Sequence, residues 1–172
     1  MTRPLADPLA EPLTEPSTEL PSEPRRLIRI LMAEDDPEDQ LLVRRAFERS
    51  RLVNSLDIVN DGQELLDCLN RRGGYANAPR PDLILLDLNM PRVDGREALA
   101  AIKDDPELKI IPVVALTTSS AEEDIVRSYD LGVSSYVEKP VTFDKLCEMV
   151  AVLGRYWCEI VTLPSTGRPG RP

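Results

Sequence analysis

Leu83-Ile84-Leu85-Leu86-Asp87-Leu88-Asn89-Met90-Pro91 is the stretch whose reading decides the fold. Four apolar residues in a row run into one carboxylate. Preceded by Arg80-Pro81 and closed by a proline-containing turn, the run reads as a buried parallel strand. A carboxylate at the end of such a strand is costly to desolvate without a partner. Asp87 is therefore solvated at the sheet's edge, paired, or bound to a cation.

Outward from this run, strand and helix patterns alternate. Residues 27–33 read as a strand that ends in Glu34-Asp35-Asp36. Asp36 fits a helix N-cap, Pro37 the first helical position, and Glu38 and Asp39 an acidic first turn. This helix is expected to reach about Ser50, with Leu42, Val43, Ala46 and Phe47 as its buried stripe. Residues 55–59 form a weaker strand ended by Asn60-Asp61-Gly62, and a short helix follows with Leu65, Leu66 and Leu69 inward. Residues 71–80 are a loop rich in Gly, Asn and Pro. After Asp94-Gly95 comes a helix with Ala98, Leu99 and Ile102 inward, stopped near Asp105-Pro106. Residues 110–116 read as a fourth strand with Pro112 near its start, ending in Thr117-Thr118. Ser120-Ala121-Glu122-Glu123 fits a capping box, and Gly132 the C′ position of the helix it opens. Residues 133–137, more polar and hence an edge strand, end in Glu138-Lys139-Pro140; Thr142 then caps a last helix reaching about Cys158.

Five strand–helix units in strict alternation call for an α/β fold: a doubly wound, five-stranded parallel sheet with five helices on its two faces. Five units suit the flavodoxin-like strand order 2-1-3-4-5. The folded domain is placed at residues 26–160. Before it, a four-residue pattern repeats from Pro4: Pro-Leu-Ala-Asp, Pro-Leu-Ala-Glu, Pro-Leu-Thr-Glu, Pro-Ser-Thr-Glu. Proline at every fourth position excludes a helix, so residues 1–25 are expected to be a disordered acidic arm. Residues 161–172, rich in Pro and Gly, are expected to form a flexible tail.

The net charge of -9 over 172 residues disfavours sequence-independent nucleic-acid binding and anionic membranes. No apolar run approaches the ~20 residues of a membrane span, and no signal-peptide core is present, so a cytoplasmic protein is expected. The three cysteines, Cys68, Cys147 and Cys158, lack metal-site or disulfide spacing and read as buried reduced thiols. The absence of histidine removes His triads, His metal sites and phosphohistidine chemistry.

In a parallel sheet the strand ends share one edge, where such folds bind ligands. Topology therefore brings together Glu34 and Asp35 after strand one, Asp87 at the end of strand three, Thr117 at the end of strand four and Lys139 after strand five. Each residue alone reads as a turn, cap or loop residue; five such coincidences on one edge do not. Three carboxylates so close repel one another unless a hard dication relieves them, and oxygen-only ligands with open positions suit Mg2+ better than a full Ca2+ cage. Such a site, with Lys139 as a fixed cation and Thr117 as a hydroxyl donor, can bind a phosphoryl group, and an Asp nucleophile would give an acyl phosphate.

These residues resemble the receiver domain of two-component response regulators. The likeness is carried by Glu34-Asp35, by Asp87 in Leu-Leu-Asp-Leu-Asn-Met-Pro with Asp94-Gly95 after it, by Thr117, and by Tyr136-Val-Glu-Lys139-Pro140. Gly74-Tyr75-Ala76-Asn77-Ala78-Pro79-Arg80-Pro81-Asp82, Asp94-Gly95-Arg96-Glu97 and the Tyr156-Trp157 ending further resemble the single-domain regulators that partner bacterial phytochrome kinases. The resemblance implies a protein that is not an enzyme acting on other substrates but a phosphoacceptor: Asp87 accepts a phosphoryl group from a sensor histidine kinase, of the bacterial phytochrome type. It implies Mg2+ held by Asp35, Asp87 and the Asn89 backbone carbonyl, with Glu34 acting through water. Lys139 would bind phosphate, ahead of a cis Lys139–Pro140 bond. Thr117 and Tyr136 would switch on phosphorylation, and Asn89 and Ser119 would tune hydrolysis. About a dozen residues follow the last helix, so output is expected through protein contacts. On that helix Phe143, Leu146, Cys147, Val150 and Trp157 form a core face, and Met149, Val152, Tyr156 and Ile160 a second apolar face. A homodimer through the fourth helix, fifth strand and fifth helix is the expectation. Two other readings stand beside this one. A pseudo-receiver binding module would lack one of the site residues. A Mg2+-dependent, Asp-nucleophile phosphatase would place its nucleophile on the first strand, with a second Asp two residues on, where Asn89 stands.

Overall fold

The computed structural model describes residues 27–50, 54–118 and 121–164. Five strands, β1 (Ile28–Ala33), β2 (Asn54–Val59), β3 (Leu83–Asp87), β4 (Val113–Thr117) and β5 (Ser135–Glu138), form one sheet in the order β2-β1-β3-β4-β5. Every pairing is parallel. Between and after them lie α1 (Pro37–Ser50), α2 (Gly62–Leu69), α3 (Gly95–Asp104), α4 (Glu122–Asp130) and α5 (Phe143–Gly154). The flavodoxin-like order read from the alternation is the order observed.

The strands are apolar throughout because both sheet faces are covered, and successive side chains go to opposite faces. Leu31, Ala33, Ile84, Leu86, Val113 and Ala115 pack with α2 and α3, through Leu65, Leu69, Ala98, Leu99 and Ile102. Ile30, Met32, Leu83, Leu85, Val114 and Leu116 pack on the other side with α1 and α5, through Val43, Phe47, Leu146 and Val150. β2 and β5, each paired on one side, are less buried than β3 and β4, every residue of which is buried. Each outer strand carries an exposed acid, Asp57 on β2 and Glu138 on β5.

Local chemistry sets the helix starts. The Asp36 side chain accepts from the N–H groups of Glu38 and Asp39 at 2.7 and 3.3 Å, Asp61 from Glu64 N at 2.9 Å, and Asp94 from Arg96 N at 2.6 Å. Gly132, with φ +88°, supplies the left-handed residue that ends α4.

Several expectations shift. Leu42 is exposed rather than part of the α1 stripe, which runs through Val43, Ala46 and Phe47. The N-cap of α4 is Ala121; the capping box is expected from Ser120, which with Ser119 lies outside the described residues. Thr142 occupies the N-cap of α5 without a side-chain capping bond, and its carbonyl accepts from Leu146 N at 3.0 Å. The last helix changes to a π-helical turn over Arg155–Ile160. β4 starts at Val113 rather than at residue 110, with Pro112 directly before it. No described peptide bond is cis, Lys139–Pro140 included, in keeping with the trans preference of about 0.5–1 kcal/mol at X–Pro bonds. Leu163, in the stretch read as tail, is buried against the α1 and α5 face. Residues 1–25, read as an acidic arm, lie outside the described residues. Cys68 and Cys147 are free thiols, and no helix among the described residues is long and apolar enough to cross a membrane.

Candidate functional site: an acidic pocket at the C-terminal edge of the sheet

The hydrophobic pattern of β3 drives Leu83–Leu86 into the core and delivers Asp87, itself buried, to the strand's end. β1 delivers Glu34 one residue past its own end; Glu34 is fully buried, and its N–H donates to the Val59 carbonyl at 3.0 Å. Asp35 next to it is exposed. One carboxylate oxygen from each of Glu34, Asp35 and Asp87 lies within 4.8 Å of the other two. β4 ends in buried Thr117, whose backbone carbonyl accepts from Lys139 N at 2.8 Å and so fixes the start of the Lys139 side chain.

Lys139 closes the pocket. Its Nζ donates to Glu34 Oε2 at 2.6 Å, to Asp87 Oδ2 at 2.7 Å and to Asp39 Oδ2 at 2.9 Å. The five residues that topology places together are therefore brought together, and Asp39 joins them. Nothing local marks Asp39 in the sequence, because an acid in a helix's first turn reads as a dipole partner; its partner is a hundred residues away. The Asn89 N–H donates to Asp87 Oδ1 at 2.9 Å, and its side-chain amide donates to Thr117 Oγ1 at 3.0 Å. Thus Asn89 meets the threonine through its side chain, beyond the backbone role expected of it. Tyr136 is half-buried on β5 and packs on the α2–α3 face of the core, two residues along the register from Thr117.

The loop between β3 and α3 is held against its neighbours by small residues and one ion pair. A Cβ on Gly95 would collide with the Asp87 carbonyl oxygen and lie 2.6 Å from Leu88 Cα; a Cβ on Gly62 would lie 2.5 Å from the Val93 carbonyl oxygen. Arg92, in the left-handed region with φ +66°, pairs with buried Asp61 at the start of α2. Further along, Arg96 reaches across to Asp124 on α4 at 2.9 Å.

The electrostatics expose a shortage of positive charge. Burial pushes the Glu34 carboxyl up to about 7, although the Lys139 hydrogen bond and charge pull it down. Burial likewise works against the Lys139 ammonium, yet its bonds to Asp87, Glu34 and Asp39 outweigh that and hold it well above the usual lysine range. A single lysine among four carboxylates stays charged but leaves the buried acid under-compensated. A hard divalent cation fits this all-oxygen donor set, with Glu34, Asp35 and Asp87 as the residues able to hold it.

An acid pair after β1, a buried aspartate ending β3 and a lysine after β5 thus share one edge of a doubly wound parallel sheet. The response regulator receiver domain profile matches residues 30–151. The chain belongs to that family. It is 46% identical over 136 residues to response regulator Rcp1 of Synechocystis sp., covering 79% of this chain and 92% of that one. The Mn(2+)-bound form of Rcp1 superposes with a TM-score of 0.75, covering 80% of this chain and 99% of that one. The phosphorylated cyanobacterial phytochrome response regulator RcpA superposes with a TM-score of 0.77 at 46% identity, over 81% and 100% of the two chains. The bacteriophytochrome response regulator RtBRR, 43% identical, does so with a TM-score of 0.66 over 82% and 86%. The chain is thus a receiver related to phytochrome response regulators.

Proposed function

We propose that this receiver takes a phosphoryl group from a sensor histidine kinase, of the phytochrome type, onto Asp87. The observation that carries the reading is the placement of Asp87: a buried carboxylate ending a central strand, 2.7 Å from Lys139 Nζ and within 4.8 Å of two further acids. An Asp87 carboxylate oxygen forms the new bond to phosphorus. The bond from phosphorus to the donor atom breaks, and its electron pair leaves with the donor. Lys139 donates to a phosphoryl oxygen, and the Thr117 hydroxyl to another once it turns from Asn89. Asp35, Asp87 and the Asn89 carbonyl would hold Mg2+, with Glu34 acting through water, and the ion would supply charge neutralisation of the phosphoryl oxygens. The Asn89 N–H and Lys139 Nζ each donate to one oxygen of the nucleophile and so orient its carboxylate. Movement of Thr117 and Tyr136 carries the signal to protein partners in the cytoplasm, so the chain turns over no substrate but its own phosphoryl group.

The experiment is incubation with Mg2+ and acetyl phosphate, followed by a test for a hydroxylamine-labile phosphoryl adduct. Wild type should form it and Asp87→Asn should not; no adduct on wild type, or an adduct on Asp87→Asn, overturns the reading. Turnover of many phosphomonoesters would favour the phosphatase instead.

We further infer a homodimer through α4, β5 and α5. Val126 and Tyr129 on α4, Val152 on α5, and Tyr156 and Ile160 beyond it are exposed apolar residues on or next to these elements. A monomeric mass by light scattering, with and without beryllofluoride as phosphate mimic, would rule this out.

A further inference from the structure

We propose that Asp39 is the positioning residue of Lys139, the acceptor that keeps the ammonium in place while cation binding and phosphorylation engage its other two partners, Glu34 and Asp87. The inference rests on the reading of Asp87 as phosphoacceptor and adds a residue to it. A lysine ammonium has three hydrogens, and here each has a carboxylate: Glu34 at 2.6 Å, Asp87 at 2.7 Å and Asp39 at 2.9 Å. Two of these acceptors have other duties. Glu34 belongs to the cation cluster with Asp35 and Asp87. Asp87 loses its charge when one of its oxygens becomes the bridging oxygen of an acyl phosphate. Asp39 lies outside that cluster and takes no part in the transfer, so its bond to Nζ is the one that survives while two hydrogens turn to phosphoryl oxygens.

Both ends of this bond are anchored. The Asp39 backbone is fixed by its N–H donating to Asp36 Oδ1 at 3.3 Å, and the Lys139 backbone by its N–H donating to the Thr117 carbonyl at 2.8 Å. The Asp39 side chain is 39% exposed against 14% for Lys139, so the pair sits at the rim with the lysine pointing in. An opposite role is physically conceivable. A carboxylate on Lys139 could compete with phosphoryl oxygens for it, and its removal would then ease phosphorylation.

The two roles are separated by the initial rate of adduct formation on the full chain against acetyl phosphate concentration, in saturating Mg2+. Asp39→Ala is expected to raise the half-saturating acetyl phosphate about fivefold, as loss of a part-exposed charge-assisted hydrogen bond allows. Asp39→Asn, which keeps an acceptor without the charge, should fall between, and Asp39→Glu should restore most of the loss. Mg2+ affinity by calorimetry should stay within about twofold, because Asp39 is outside the cation cluster. A half-saturating concentration at or below the wild-type value in Asp39→Ala overturns the inference, as does an equal loss in Asp39→Glu. The underlying reading fails separately, if wild type forms no adduct or if Asp87→Asn still forms one.

Discussion

Replacing Gly95 by alanine adds one methyl group where backbone already stands. The new Cβ would collide with the Asp87 carbonyl oxygen and sit 2.6 Å from Leu88 Cα and 3.0 Å from the Asp87 carbonyl carbon. Carbon atoms in contact prefer about 3.5–4.0 Å, so the start of α3 must retreat from the end of β3 by roughly 1 Å. No side-chain rotation relieves this, because every atom met is main chain. Overpacking of this kind costs about 3 kcal/mol at the upper end of its usual range. Alanine's better helix propensity offsets up to about 1 kcal/mol. A net loss of about 2 kcal/mol corresponds to a fall in Tm of about 8 °C for a domain of this size. Gly74→Ala is the matched control: a Cβ there meets nothing within 4 Å, so its effect should stay within about 0.5 kcal/mol. The same retreat would carry Asp87 and Asn89 apart, so Mg2+ affinity by calorimetry should fall in Gly95→Ala and not in Gly74→Ala. Thermal melts that coincide for Gly95→Ala and wild type would refute the packing argument.

Lys139→Ala leaves buried Glu34 and Asp87 without their shared cation, a loss expected to cost about 3 kcal/mol in urea unfolding. That loss should shrink when Mg2+ is added, and an equal loss with and without Mg2+ would count against shared neutralisation of the acids. On α5, Leu146 is buried while Lys145 is exposed, so Leu146→Ala should cost about 2–5 kcal/mol and Lys145→Ala less than about 0.5 kcal/mol; comparable losses would mean that the helix faces are misassigned. Burial, helped by the Asp57 charge, pushes the Cys68 thiol up, so iodoacetamide at mildly alkaline pH should label Cys68 more slowly in folded than in urea-unfolded protein, by mass spectrometry. Equal rates would place Cys68 at the surface.

Much of this architecture is legible because its signals are local. Leu83–Leu86 cannot be a half-exposed strand, and Asp36-Pro37 and Asp94-Gly95 announce helix starts through chemistry that works within four residues. Once the strand order is inferred, Glu34, Asp35, Asp87, Thr117 and Lys139 must meet, whatever their separation in sequence. What escapes depends on angles that periodicity does not fix. Leu42 lies beside the buried stripe of α1, and only the tilt of the helix decides that it faces out. Asp39 looks like any acid in a first helical turn, and its bond to Lys139 depends on where α1 sits against the loop after β5. The Asn89 amide on Thr117 is likewise a rotamer choice that no spacing encodes.

The two outer strands each carry an exposed carboxylate, Asp57 on β2 and Glu138 on β5. The free N–H and C=O groups along a sheet's rim are a template on which another strand can grow. A second copy approaching either rim of this sheet would bring like charges to roughly the 4.8 Å spacing of paired strands. In a register that sets either acid opposite itself, this repulsion disfavours continuation of the sheet. A pairing of two copies through α4, β5 and α5 would then rest on side chains such as Tyr129 and Val152, a reversible contact between finished domains rather than an extension of the sheet.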